Sequence, residues 1–162
     1  MIRKHKRYSR PRKLYDKTRI EEENLLLKKY GLKNKKEIWK AQAAIDRIRK
    51  QAKSLITAEK DEQEKLFEKL RKIGFNIKNT ADALALNKEN WLKRRLQSLV
   101  VEKKFARTPK EARQLIAHKH IAIDGKRINI PSYIVSVEEE GKIEIKTVRK
   151  IDKKSGGEDA RK

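Results

Sequence analysis

Two histidines, His118 and His120, flank a lysine in the stretch "AHKHIAIDGKRINIPSYIV", residues 117–135. Imidazole binds metals and acts as a general base, so this pair raises the question of a metal or catalytic site. The two residues lie at the predicted end of a helix, where their side chains need not converge, and the third histidine, His5, is far away in the sequence. No cysteine can complete a metal site, and the nearby Asp124 is expected to serve a turn. We therefore expect no metal, no cofactor and no catalytic residue.

The composition indicates a polyanionic partner instead. Lysine and arginine outnumber aspartate and glutamate 45 to 23, giving a formal charge of +22 on 162 residues. Binding to nucleic acid neutralises phosphates and releases counterions, which favours a surface this basic. The apolar fraction of 36% is low and predicts no large enzyme core. The phosphate-binding glycine loops of nucleotide enzymes are also absent from the sequence.

The sequence predicts a cytoplasmic protein without a membrane partner or a small-molecule substrate. No apolar run approaches the roughly 20 residues of a spanning helix. The first residues, "MIRKHKRYSRPRK", contain no apolar core of a secretory signal.

Residues 1–15 are predicted to form a basic arm that becomes ordered along phosphates. A localisation signal or a solubilising tail is the alternative. The candidate RNA contacts in this arm are Arg3, Lys4, Arg7, Arg10, Arg12 and Lys13.

Residues 16–90 are predicted to form a helical domain. The periodicity of apolar residues and the glycines that follow it predict helices over 16–30 and about 34–55, and a third helix that ends before Gly74. "NTADALAL" predicts a short capped helix, and one further helix is expected from Asn87 to about Lys104.

Residues 91–150 are predicted to form a small second domain of two packed helices and a hairpin. Thr108, Pro109 and Glu111 are typical of a helix N-terminus, so a helix is expected over 109–118. Its apolar stripe should pack on the preceding helix, with Lys110, Arg113 and Gln114 on the opposite face.

A β-hairpin is expected next, because Asp124-Gly125 suits a two-residue turn in which both residues have positive φ. We expect four isoleucines to point toward the helices: Ile121, Ile123, Ile128 and Ile130. "SYIVSV" and "KIEIKTV" are two further strand candidates, and 151–162 is predicted to be a flexible tail. The predicted fold class is α+β.

The stretch 94–135 resembles the RNA-binding domain of the small-subunit ribosomal protein S-four family. The matching motifs are Arg95-Leu96, Thr108, Ala112 to Ile116, His118 to Ile121, Asp124-Gly125-Lys126 and Ile130 to Tyr133. "YGLKNKKEIWKA" and "RIEEE" extend the resemblance toward the N-terminus, and Gln97 with the "EEE" at 138–140 is similar to the archaeal and eukaryotic branch.

Three residues depart from the pattern of that family: Lys104, Lys119 and Asp124. The first two stand where glycine is frequent. The lysine between the histidines suggests that the backbone there is not required to take positive φ.

The resemblance implies a structural constituent of the small ribosomal subunit, not an enzyme. It implies direct binding to small-subunit ribosomal RNA and to neighbouring ribosomal proteins, a role in nucleating assembly and an influence on translational accuracy. Such RNA is read through shape, phosphates and 2′-hydroxyls. The expected contacts in this domain are Arg94, Arg95, Arg107, Thr108, Lys110, Arg113, Gln114, His118, Lys119, His120, Lys126 and Arg127. The alternative is a stand-alone factor that uses the same domain on ribosomal complexes or structured RNA.

Overall fold

The computed structural model describes residues 8–146, so the predicted contacts Arg3, Lys4 and Arg7 and the predicted tail 151–162 lie outside the described residues. The described chain has a helical N-terminal region and a small antiparallel sheet, which confirms the α+β class. The helices are α1 (Lys17–Tyr30), α2 (Lys35–Ser54), α3 (Lys60–Ile73), α4 (Thr80–Ala85), α5 (Lys88–Lys93), α6 (Leu96–Glu102), α7 (Pro109–Ala117) and α8 (Val137–Glu140). The strands are β1 (Ile121–Ile123), β2 (Lys126–Arg127) and β3 (Ile143–Ile145).

The first two helices begin and end close to the predicted positions, and the third ends at Ile73, directly before Gly74 as predicted. The Asp16 side chain accepts from the Arg19 N–H at the start of α1, and Gly31 and Gly74 end α1 and α3 in the left-handed conformation. The seam of α2 is buried and packs on α3 and α4 around Ile45 and Leu70. Local end signals and periodicity are therefore enough to define this half.

The prediction of one helix from Asn87 to Lys104 is wrong, because the chain leaves the helical conformation at Arg95 (φ −75°, ψ 144°). The Leu96 N–H donates to the Tyr133 carbonyl at 2.8 Å, and the Val135 N–H donates to the Arg94 carbonyl at 3.1 Å. The segment 131–135 thus supplies backbone partners that replace one turn of helix.

The predicted strand "SYIVSV" is also wrong. Its only ladder contact among the described residues is a single bridge between Ile134 and Arg95. Ser136 then caps the short helix α8, which was not predicted: its hydroxyl accepts from the Glu139 N–H, and the Glu139 carboxylate accepts from the Ser136 N–H.

The hairpin is confirmed. Asp124 and Gly125 have φ of 50° and 76°, and Ile123 pairs with Lys126. The third strand, β3, pairs antiparallel with β1, so that the strand order is β2-β1-β3. Ile121 and Ile123 are buried against α6 and α7, and Ile128 is partly buried on the same core. The inward orientation predicted for Ile130 is wrong: the residue is 53% exposed, because β2 ends at Arg127 and strand alternation no longer applies.

Two lysines adopt the left-handed conformation immediately after helices. Lys104 and Lys119 both have φ of 61°. After α6 the Phe105 N–H donates to the Val100 carbonyl at 3.0 Å, and after α7 the His120 N–H donates to the Leu115 carbonyl at 2.9 Å. This pattern closes a helix C-terminus and normally uses glycine. The expectation that positive φ is not required at Lys119 is therefore wrong: the conformation is kept without the glycine.

We expect Lys104→Gly and Lys119→Gly to stabilise the protein slightly. A left-handed non-glycine residue costs roughly 1–2 kcal/mol. The entropy of glycine offsets roughly 0.5–1 kcal/mol of that gain. Denaturant unfolding should show a gain of about 0.5 kcal/mol for each variant, whereas Gln114→Gly, at an exposed position in the interior of α7, should lose about 1 kcal/mol. An equal loss of unfolding free energy in all three variants would show that the left-handed backbone of Lys104 and Lys119 is not strained.

Candidate nucleic-acid interface

Glu37 connects the N-terminal helical region with the C-terminal domain that contains α6, α7 and the sheet. Its carboxylate accepts from Arg95 Nη2 at 2.5 Å and from Arg113 Nη2 at 3.1 Å. The side chains of Glu37 and Arg95 are only 16% and 5% exposed. Burial alone would raise the pKa of Glu37, but the hydrogen bonds from the two guanidinium groups outweigh it and lower the pKa. The first turn of α2 is thereby fixed against α7 and the start of α6.

Gln97 makes the second connection. Its amide nitrogen lies 3.1 Å, 3.0 Å and 2.7 Å from the carbonyl oxygens of Tyr30, Gly31 and Pro109. The side chain is buried, so these carbonyls have a partner where water is excluded. Gly31 is needed here because a Cβ at this position would lie 2.7 Å from the Pro109 Cβ. The end of α1 therefore packs directly on the start of α7.

Arg94 makes a connection within the C-terminal domain. Its guanidinium donates to the Glu140 carboxylate at 2.8 Å and to the Val135 carbonyl at 3.2 Å. Lys103 donates to the Glu140 carbonyl. These bonds place α8 beside the break between α5 and α6. The structure therefore brings Arg94, Arg95 and Arg113 together with protein acceptors, not on an open surface.

The other predicted RNA contacts within the described residues are exposed, except His120. They include Arg10, Arg12, Lys13, Arg107, Lys110, Gln114, His118, Lys119, Lys126 and Arg127. Thr108 is exposed too, but its Oγ1 accepts from the Glu111 N–H at 3.2 Å and caps α7. His120 is partly buried. The exposed set lies on the arm, on α7 with its flanking turns, and on β2.

Neither histidine forms an ion pair with an acid among residues 8–146. The rings of His118 and His120 lie 6.3 Å apart, tilted by 38°. Across residues 8–146 there is no group of three or more side chains of the kinds that hold a metal ion.

The aromatic side chains belong mainly to the packing. Trp39 donates to the Glu23 carboxylate at 2.9 Å, and the ring of Trp91 lies 6.1 Å from that of Phe75. The Tyr133 hydroxyl donates to Glu139 at 2.7 Å, and this bond, with partial burial, raises the pKa of Tyr133. None of the helices in the described part is long and apolar enough to cross a bilayer.

The connecting role of Glu37 was not predicted from the sequence, and Gln97 was noted only as a residue typical of one branch of the family. A signal was present for each. Glu37 is the one acid in the basic run "KNKKEIWK", and Gln97 interrupts the apolar stripe of Leu96, Leu99 and Val100. A polar residue in an apolar stripe requires a buried partner.

Residues 94–140 match the model of the S4 domain. A small ribosomal subunit protein uS4 from Korarchaeum cryptofilum is 45% identical over 149 residues, covering 88% of this chain and 90% of the relative. The chain belongs to the uS4 family. The uS4 protein of Methanococcus aeolicus is 46% identical, with 85% and 82% coverage, and that of Sulfurisphaera tokodaii is 48% identical, with 77% and 75% coverage. The predicted family resemblance is confirmed, and these archaeal relatives agree with the predicted archaeal and eukaryotic branch.

The ends of the segment that matches the S4 domain coincide with structural boundaries in this uS4 chain. It begins at Arg94, where the chain breaks between α5 and α6, and ends at Glu140, the last residue of α8. These two residues are bonded to each other, so the ends of the matched segment are joined by a partly buried ion pair. β3 lies beyond the match but pairs with β1 and completes the sheet.

Proposed function

We propose that this protein is a structural, non-enzymatic constituent of the small ribosomal subunit in the cytoplasm. It binds small-subunit ribosomal RNA directly, nucleates assembly with neighbouring ribosomal proteins and contributes to translational accuracy. The observation that carries the proposal is the similarity to small ribosomal subunit proteins over nearly nine-tenths of the chain. The formal charge of +22 supports a polyanionic partner.

The proposed RNA-binding surface consists of the exposed cations on the arm, α7 and β2. Lys110 lies in the first turn of α7, Arg107 just before the helix and Lys119 just after it. Glu111 lies among them and accepts from the Arg107 N–H, but none of the three cationic side chains forms an ion pair within residues 8–146. Arg94, Arg95 and Arg113 are assigned a positioning role, because a guanidinium already bonded to a shielded carboxylate loses that bond when it reaches for a phosphate. They hold α7 in place while the exposed residues contact the RNA.

The proposed division of the chain is a basic arm (1–15), a helical domain (16–90), a small RNA-binding domain (91–150) and a tail (151–162). One separate apolar cluster supports the boundary near 90: it joins α6 and α7 to β1 and β3 and includes no residue before Leu96. The connections through Glu37 and Gln97 bring the helical domain against this cluster.

The decisive experiment is purification of small subunits from the source cells through a high-salt wash. The proposal expects the protein to remain in a one-to-one ratio to the RNA, measured by quantitative mass spectrometry. Loss into the wash, or a ratio far below one, would instead support the alternative of a stand-alone factor that binds ribosomal complexes reversibly.

A further inference from the structure

A cleft opens where α2 faces the segment 131–134. Its volume is about 430 Å³. Sites for small ligands occupy roughly 300–1,000 Å³. Lys40 and Arg47 line it from α2, Trp91 from α5, Arg113 from α7, and Ser132 and Ile134 from the opposite wall. The cleft is thus large enough for one nucleotide and too small for a helix of a partner.

The walls of the cleft carry an excess of positive charge. The lining contains four cations, Lys40, Arg47, Arg95 and Arg113, and one acid, Glu37, so the formal charge is 4 − 1 = +3. Glu37 is already bonded to two of those cations. Lys40 forms no ion pair with any described residue. Within residues 8–146, the side chain of Arg47 makes a single hydrogen bond, which its Nε donates to the Ala43 carbonyl. The occupant should therefore be an anion.

Trp91 adds an aromatic surface. It is partly buried, with the ring of Phe75 stacked at 6.1 Å, and it still contributes to the lining of the cleft. RNA-binding proteins hold unstacked bases against such rings. A free phosphate would make no use of Trp91 or Ile134, whereas a base joined to a phosphate uses both the ring and the cations.

We propose that this cleft binds one unstacked nucleotide of the bound RNA, with its base beside Trp91 and its phosphate near Lys40 and Arg47. The assignment rests on the proposed function, since it names a specific pocket within the larger RNA-binding surface. Arg95 and Arg113 shape the wall, and Ser132 lies at its opposite side.

The test uses the full chain and transcribed small-subunit ribosomal RNA without other proteins. Lys40→Glu removes an exposed cation of the cleft, and Lys53→Glu is its matched control on the other side of the same helix. Ser132→Leu fills the cleft without changing charge, and Ser54→Leu is its control at an exposed site outside the cleft. Loss of one stacked base and its phosphate should weaken binding by roughly tenfold to a hundredfold. The affinity of both controls should stay within about threefold of that of the unmodified protein, because Lys53 and Ser54 do not line the cleft.

Fluorescence gives a direct readout of the base. In a Trp39→Phe background Trp91 is the one remaining tryptophan. Its emission should be quenched when RNA binds, and Ser132→Leu should remove the quenching.

The outcomes separate two failures. If the unmodified protein binds the RNA while both cleft variants bind equally well and Trp91 emission is unchanged, the cleft assignment is overturned and the proposed function survives. If the variants bind bare RNA normally and fail only in assembled subunits, the occupant is a protein segment and the assignment is also overturned. If the unmodified protein does not bind the RNA, the proposed function fails and the cleft assignment fails with it.

Discussion

Glu37→Ala is expected to lower the free energy of unfolding by roughly 3–5 kcal/mol, because it leaves the buried guanidinium of Arg95 without its partner. Arg113 loses the same acceptor, but its side chain is 29% exposed and can turn to water. The cost should therefore come mainly from Arg95. Urea unfolding, followed by circular dichroism, measures the change.

Two variants make this result specific. Glu64→Ala removes an exposed glutamate of α3 and should change stability by less than about 0.5 kcal/mol. Glu37→Leu/Arg95→Met replaces both buried charges with apolar groups and should recover most of the loss, since exchanging a buried pair for apolar side chains is often close to neutral. A double variant as unstable as Glu37→Ala would show that the network does more than satisfy one buried charge.

The same carboxylate predicts an acid-sensitive component of stability. In the folded protein the pKa of Glu37 lies below the ordinary value of a glutamate, because the guanidinium groups of Arg95 and Arg113 stabilise the carboxylate. A group with a depressed folded pKa stabilises fully above its unfolded pKa, and that contribution disappears as the pH falls through the folded value. Unfolding free energy measured from pH 6 downward should thus fall more steeply in the unmodified protein than in Glu37→Leu/Arg95→Met.

The parts of the fold that local chemistry determines were predictable. Gly31 and Gly74 ended helices as expected, and the Asp124-Gly125 turn set the hairpin register, because each acts through its own backbone angles. Helix α7 followed from Thr108 and Pro109 for the same reason. These features depend on a few neighbouring residues.

The errors share a different cause. The break in the helix at Arg95 depends on hydrogen bonds with residues about 40 positions later. No proline or glycine beside Arg95 indicates this break in the sequence. The sequence predicted Arg95 and Arg113 to be RNA contacts, because their partner Glu37 lies 58 and 76 positions away and only the fold brings it beside them. The left-handed lysines show a further limit, since tertiary context can impose positive φ on residues that disfavour it. The candidate site was therefore predictable in composition, but not in which cations remain exposed.

RNA affinity is expected to depend steeply on salt. Eight of the predicted cations within residues 8–146 are exposed: Arg10, Arg12, Lys13, Arg107, Lys110, Lys119, Lys126 and Arg127. If about six to ten phosphates are neutralised, affinity should fall by roughly 10³ to 10⁵ between 50 and 200 mM salt. Filter binding or fluorescence titration with transcribed small-subunit ribosomal RNA, repeated over this range, measures the slope of log affinity against log salt.

A pair of double variants tests whether the assigned cations produce that slope. Lys126→Ala/Arg127→Ala removes two exposed cations of β2 and should reduce the magnitude of the slope by about two, or about one for each lost phosphate contact. Lys65→Ala/Lys69→Ala removes two exposed lysines of α3, outside the proposed surface, and should leave the slope nearly unchanged. Because both variants change the net charge equally, a general electrostatic effect would alter them alike. Equal slopes in the two variants, or a nearly flat dependence in the unmodified protein, would rule out β2 as part of the phosphate-binding surface.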